Sequence, residues 1–151
     1  MAVRQDKFDF EWVRFLGAEP LEMADGRCVM RLHPKGVHLN HNGTVNAPIL
    51  YGLAEVAGAG AVTAGMMDLL ATAYVVVKRA DIEYLAPARD TVTAVGTVEP
   101  AAFAAAKANV AAGIPVDVET TVEITDATGR TATRVNLVMV VRPRRTDRQA
   151  T

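Results

Sequence analysis

The side chains best able to do chemistry lie between residues 39 and 67, LNHNGTVNAPILYGLAEVAGAGAVTAGMM. Asn40, His41 and Asn42 come first, a Gly43-Thr44 turn follows, and after Asn46 the chain runs apolar or small with one carboxylate, Glu55. Removing a carboxylate from water costs several kcal/mol unless it is paired or neutralised. Such a group is kept either because an arginine or a backbone end satisfies it or because its shifted pKa is used. Used, it would accept a proton from water as a general base or attack an electrophile itself. The amides ahead of it could orient a loop or a water. Asn46 followed by Ala47-Pro48 is also a good helix N-cap with proline in the first turn, a role compatible with chemistry.

Other candidates carry less. His33, His38 and His41 are spaced five and three apart and match no closed zinc pattern, so no metal is expected. Cys28 is the single cysteine; it cannot close an intrachain disulfide, which fits a reducing compartment. Tyr51 and Tyr84 read as core or interface residues. Gly52, Ala57, Gly58 and Gly60 would let strands approach a helix closely.

The chain of 151 residues is half apolar, enough for one domain with a sizeable core, expected over residues 1–142. The chain ends RPRRTDRQAT, with four arginines and one alanine as its apolar content, and residues 143–151 are expected to be disordered and solvated. A formal charge of −1 and a pI near 6.3 leave no basic field, which argues against nucleic acid as a partner. The start, MAVRQDKFDFEW, is charged throughout and has no apolar run of signal-peptide type, so a cytoplasmic location is expected. Residues 45–67 are long enough to cross a bilayer, yet Glu55 would sit near its centre, Pro48 and four glycines interrupt the run, and no Lys or Arg flanks it closely. A helix apolar all round is otherwise one buried inside a protein, so no membrane is expected as a partner.

The flanking sequence supplies what would bury it. Residues 6–16 place Phe8, Trp12, Phe15 and Leu16 on one helical stripe. Cys28, Met30 and Leu32 alternate with polar residues after an Asp25-Gly26 turn, predicting a hairpin ended by Pro34. After the central helix, AYVVVKRADIEYLAPA reads as a long strand, buried on both faces at residues 75–77 and closing at Pro87. Residues 91–99 form a further strand with a bulge or bend at Gly96. A short helix from Pro100 stops at Gly113, and two alternating strands, 116–125 and 130–141, flank a DATG turn. One helix apolar on nearly all sides needs a curved antiparallel sheet around it. The expected architecture is α+β, a hot-dog fold of about six strands wrapped around a long central helix.

With that fold in view, the residues resemble the hot-dog acyl-CoA thioesterases, the phenylacetyl-CoA and 4-hydroxybenzoyl-CoA thioesterase superfamily. Those enzymes carry an Asn, a Gly three residues on, a His-Gly pair at the mouth of the central helix, and an Asp or Glu nine residues after that His. Asn40, Gly43, Asn46-Ala47 and Glu55 match every spacing. Two identities depart: Asn46 stands for His, which removes a titratable group but keeps a hydrogen-bonding side chain, and Ala47 stands for Gly, which keeps the backbone N–H. DIEYLAPAR at 81–89 and the final hairpin extend the likeness over most of residues 27–142.

The resemblance implies hydrolysis of acyl-CoA or acyl-carrier thioesters, with coenzyme A part of the substrate and no cofactor. It makes Ala47 N–H the oxyanion donor, suited to that role at a helix N-terminus. Asn40 or Asn46 would orient the loop or the water, and Glu55 would be base or nucleophile. Around them, His41, Gly43 and Thr44 form the substrate-side loop, and Lys78, Arg79 and Arg89 could grip coenzyme A phosphates. Asn46 and Glu55 lie about 13 Å apart along one helix, too far to share one reacting group. A catalytic reading therefore implies a homodimer with two shared sites, or a tetramer of such dimers. Two alternatives stand beside it. His41 and Glu55 are fourteen residues apart, the spacing of hot-dog dehydratases acting on 3-hydroxyacyl thioesters, though the His-Phe-Pro and Pro-Gly signature is replaced. A non-catalytic acyl-thioester-binding dimer is the other.

Overall fold

The computed structural model describes residues 9–145. The elements are α1 (Glu11–Leu16), β1 (Ala18–Ala24), β2 (Arg27–Leu32), α2 (Ala47–Thr63), β3 (Ala73–Tyr84), β4 (Val92–Thr97), α3 (Pro100–Ala111), β5 (Val116–Asp126) and β6 (Thr131–Pro143), with 3-10 turns at Gly36–His38 and Met67–Ala71. Their order is the one expected. The strands form one antiparallel sheet in the order β1-β2-β4-β5-β6-β3, wrapped around α2. This is the hot-dog fold.

Period-two alternation decides which strand face meets the helix. Cys28, Met30 and Leu32 on β2, Val118, Thr120, Val122 and Ile124 on β5, and Val135, Leu137, Met139 and Val141 on β6 are buried. Glu119, Glu123 and Arg134 on the opposite face are exposed. The sheet comes close to α2 where side chains are missing. A β-carbon at Gly58 would collide with Leu137, and one at Gly96 of β4 would collide with the carbonyl of Ala57. Gly96 is therefore not at a bulge: β4 pairs in unbroken register with both β2 and β5. Bulges fall instead in β1 between Pro20 and Glu22, in β3 between Val77 and Arg79, and at Ile124/Thr125.

Three other expectations change. Residues 75–77 are not buried on both faces, because β3 is an edge strand and Val76 is 47% exposed. The N-terminal helix is shorter than 6–16; Phe8 lies outside the described residues, and the buried residues of α1 are Val13 and Leu16, while Phe15 is 74% exposed. Trp12 lies against α2, where a β-carbon at Gly52 would come within 2.8 Å of its indole. Pro143, assigned to the tail, ends β6; residues 146–151 of the expected tail lie outside the described residues.

Along α2, ten residues are buried, but Ala47, Tyr51, Glu55, Ala59 and Thr63 are each half-buried. Their spacing of four makes them one stripe, which neither the sheet nor α1 covers completely. Among the described residues, no helix is long and apolar enough to cross a membrane.

Candidate active site

Asn40 builds the loop that leads to the mouth of α2. Its Oδ1 accepts the N–H groups of Asn42 (2.9 Å) and Thr44 (3.2 Å), and its Nδ2 donates to Thr44 Oγ1 (2.8 Å). Its backbone N–H donates to the Thr44 carbonyl (2.8 Å), and Gly43, in the left-handed region at φ +70°, donates its N–H to the Asn40 carbonyl (2.9 Å). Through these bonds, all within residues 40–44, Asn40 orders the loop. Thr44 is buried, while His41 and Asn42 stand exposed on the turn. Arg89 ties the turn to the segment after β3 by donating Nη1 to the Asn42 carbonyl (3.0 Å).

The loop delivers Asn46 and Ala47 to the helix start. Val45 N–H donates to the Ala88 carbonyl (2.7 Å) and Asn46 N–H to the His38 carbonyl (2.8 Å). Asn46 occupies the N-cap position with extended backbone (φ −65°, ψ 139°), but its side chain makes no capping hydrogen bond and is exposed. Ile49 and Leu50 both donate to the Asn46 carbonyl (2.9 and 3.1 Å), and Pro48 has no N–H. Among the first backbone donors of α2, the N–H of Ala47 is thus the one left over, at the positive end of the helix dipole. It borders a groove of about 270 Å³ lined by Asn40, Leu50, Tyr84, Ala86 and Pro87. Tyr84 hangs over this mouth and donates its hydroxyl to the Ala47 carbonyl (3.3 Å).

Two turns along, Glu55 lines a separate cavity of about 340 Å³ together with Trp12, Val56, Ala59, Met67 and Leu70. No hydrogen bond or ion pair reaches its carboxylate among the described residues. Burial pushes its pKa above the ordinary carboxylate value. The reading of Glu55 as a satisfied structural partner therefore has no partner to name. Tyr51, one turn earlier, has its phenol pushed up first by burial and then by the nearby Glu55 and Tyr84. Neither tyrosine is among the site residues expected from the sequence. The i, i+4 relation to Glu55 marks Tyr51 in the sequence, whereas nothing local marks Tyr84, which reaches Ala47 through strand register.

The remaining candidates are dispersed. Lys78 pairs with Asp117 (2.8 Å) and Arg79 with Asp81 (3.3 Å), both exposed. His33 contacts Thr91 Oγ1 (2.8 Å) and lies 3.4 Å from Glu19. His38 is buried and accepts the Lys35 N–H at Nδ1 (2.9 Å). Among the described residues, no three His, Cys, Asp or Glu side chains converge to hold a metal ion. The Cys28 thiol is buried, and desolvation followed by the Glu22 charge pushes it up to about 12, which removes it as a nucleophile near neutral pH.

Residues 10–141 match the sequence model of a family described as "Domain of unknown function (DUF4442)". No curated protein matches the chain in sequence. In three dimensions it is similar to a protein of unknown function from Pseudomonas aeruginosa, described as a probable thioesterase, with a TM-score of 0.73, 20% identity, and coverage of 93% of this chain and 92% of that one. It is similar also to the PaaI protein from the phenylacetic acid degradation operon of E. coli, with a TM-score of 0.66, 18% identity and 87% of each chain covered. A mutant of the phenylacetic acid degradation protein PaaI from Thermus thermophilus aligns at a TM-score of 0.67 and 20% identity, over 88% of this chain and 99% of that one.

Proposed function

The chain belongs to the DUF4442 family, and for this member we propose the hydrolysis of acyl-CoA thioesters in a site shared between two subunits. The observation that carries the reading is the pairing of an unused donor with an unused acceptor on one stripe. Ala47 N–H has no acceptor, Glu55 has no donor among the described residues, and eight residues of helix, about 12 Å, separate them. Within one chain they serve different cavities. A two-fold axis near Tyr51 that runs two copies of α2 antiparallel would lay Ala47 of each subunit against Glu55 of the other. The bare edge of β3 supports such a pairing, since two such edges would extend one sheet across the dimer.

In the proposed reaction the thioester carbonyl lies at the mouth of α2, its oxygen accepting the Ala47 N–H. Glu55 of the partner subunit takes a proton from water while that water attacks the carbonyl carbon. The oxygen gains negative charge, which the N–H and the helix dipole stabilise in a site of low dielectric. Collapse breaks the C–S bond, the departing thiolate takes the proton back from Glu55, and the thiol and the carboxylic acid are released. Alternatively Glu55 attacks the carbonyl carbon directly and expels the thiolate, giving an anhydride that water then opens to the acid and the free Glu55 carboxylate. Asn46, exposed with a free amide beside Ala47, is suited to hold the water or the carbonyl; Asn40 acts through the loop it orders, as does Thr44. Arg89, exposed on the segment after β3 and bonded to the Asn42 carbonyl, would meet the coenzyme A phosphates. At Lys78 and Arg79 a phosphate would have to displace Asp117 and Asp81.

Purified protein incubated with a panel of acyl-CoAs and a free-thiol reagent provides the test. Thiol release that falls by about 10²-fold or more in Glu55→Ala is expected. Elimination of water from a 3-hydroxyacyl-CoA without thiol release would replace hydrolysis by the His41/Glu55 dehydratase reading, and binding without either reaction would make the protein a carrier.

A further inference from the structure

The cavity beside Glu55 has a direction. It follows the second half of α2 through Ala59 to Thr63, about 12 Å of helix rise, and ends against the Met67–Ala71 turn and the start of β3. This second half of α2 lies beyond residues 47–55, the stretch that the proposed antiparallel dimer would pair. The walls are apolar, with Trp12, Met23, Val56, Met67 and Leu70 among the residues that line them. The exception at the far end is Arg144. Its backbone N–H is bonded to the Thr72 carbonyl (2.7 Å), beside Ala73 and Tyr74 of the same cavity wall.

Six of the ten arginines among the described residues are neutralised. Arg14, Arg27, Arg31, Arg79, Arg130 and Arg142 each sit within 4 Å of an Asp or Glu carboxylate. Arg144 has no such partner among the described residues, although it lies against an apolar surface. Glu55 does not supply one: no salt bridge joins them, and burial alone accounts for the raised Glu55 pKa. The cavity thus has the acceptor for the reaction at one end and, in its wall at the other, Arg144, whose side chain has no carboxylate partner among the described residues. A ligand that fits both would be apolar in the middle and anionic at the tip. At that exposed tip a guanidinium offers a carboxylate paired, charge-assisted hydrogen bonds.

We propose that the acyl group this site takes is an ω-carboxyacyl chain, a dicarboxylic acid esterified to its thiol carrier at one end, whose free carboxylate is bound by Arg144. This rests on the thioesterase reading above and names its substrate class. An extended chain advances about 1.3 Å per bond, so the ~12 Å of α2 from Glu55 to Thr63 that the cavity follows matches roughly nine bonds, and a diacid of about ten carbons is the length to try first.

The test compares thiol release from decanedioyl-CoA and decanoyl-CoA, equal in length and different at the tip, by the wild-type chain and by Arg144→Gln. The wild type is expected to favour decanedioyl-CoA in kcat/KM, and Arg144→Gln to lower the ratio of the two about tenfold, chiefly through KM. Because Arg144 is exposed, added salt should shrink the wild-type preference. Decanoyl-CoA turned over with decanedioyl-CoA disfavoured, or a ratio that Arg144→Gln leaves in place, overturns the proposal while the thioesterase reading stands. Thiol release from neither substrate nor any other acyl-CoA removes both.

Discussion

Glu55 is held above the ordinary carboxylate range by burial, and the sign of that shift makes two predictions. Between its ordinary value and its raised folded value the native state binds more protons than the unfolded chain, so Glu55 lowers stability as pH rises through that window. Glu55→Gln should therefore raise Tm at neutral pH, with the gain vanishing below the ordinary carboxylate range; a gain independent of pH would mean the carboxylate is not desolvated. If Glu55 is the base, kcat/KM of the wild type should rise with pH through the same raised value. Asn40→Ala should cost activity with little loss of helix or sheet signal by circular dichroism, since the bonds it removes lie within residues 40–44. Glu55 and Asn40 were legible in the sequence because a lone carboxylate in an apolar run and an Asn ahead of a Gly-Thr turn are local signals. Asn46 was legible as a helix start but not as a residue whose amide stays free, and Tyr84 was not legible at all.

Among the elements, α2 is seated by absences. Gly96 of β4 meets the Ala57 carbonyl, and that backbone cannot swing aside as a side chain would. Gly96→Ala should therefore destabilise the fold by about 1–3 kcal/mol, read as a lowered urea midpoint with unchanged slope; an unaltered midpoint would show that the strand can withdraw. The strands themselves could be read from alternation, since β5 presents one apolar and one charged face and β6 turns Val135, Leu137, Met139 and Val141 to one side. What alternation could not supply was position in the sheet. Val75, Val76 and Val77 read as a doubly buried run, yet β3 closes the sheet and leaves Val76 bare, and Gly96 read as a bulge because the sequence does not show which backbone it faces. In α1 the expected stripe is only partly met: Leu16 is buried, but the face turned inward pairs it with Val13 and leaves Phe15 in solvent.

For the molecule as a whole, the half-buried stripe of α2 and the bare edge of β3 lie on the side of the chain that the proposed dimer covers. The species that hydrolyses thioesters should have at least twice the 16.1 kDa of one chain by light scattering, and an active monomer would contradict a shared site. Subunit mixing tests the central claim most directly. Glu55→Ala removes the proposed base. Ala47→Pro removes the oxyanion N–H at a position where proline suits a helix start, after an Asn46 that is already extended. Each variant alone should release almost no thiol. Random mixing, by unfolding the two together and refolding, should make about half the dimers mixed, each with one intact site, and restore about a quarter of wild-type activity. A mixture no more active than its parents would place Glu55 and Ala47 outside a common site and contradict the account.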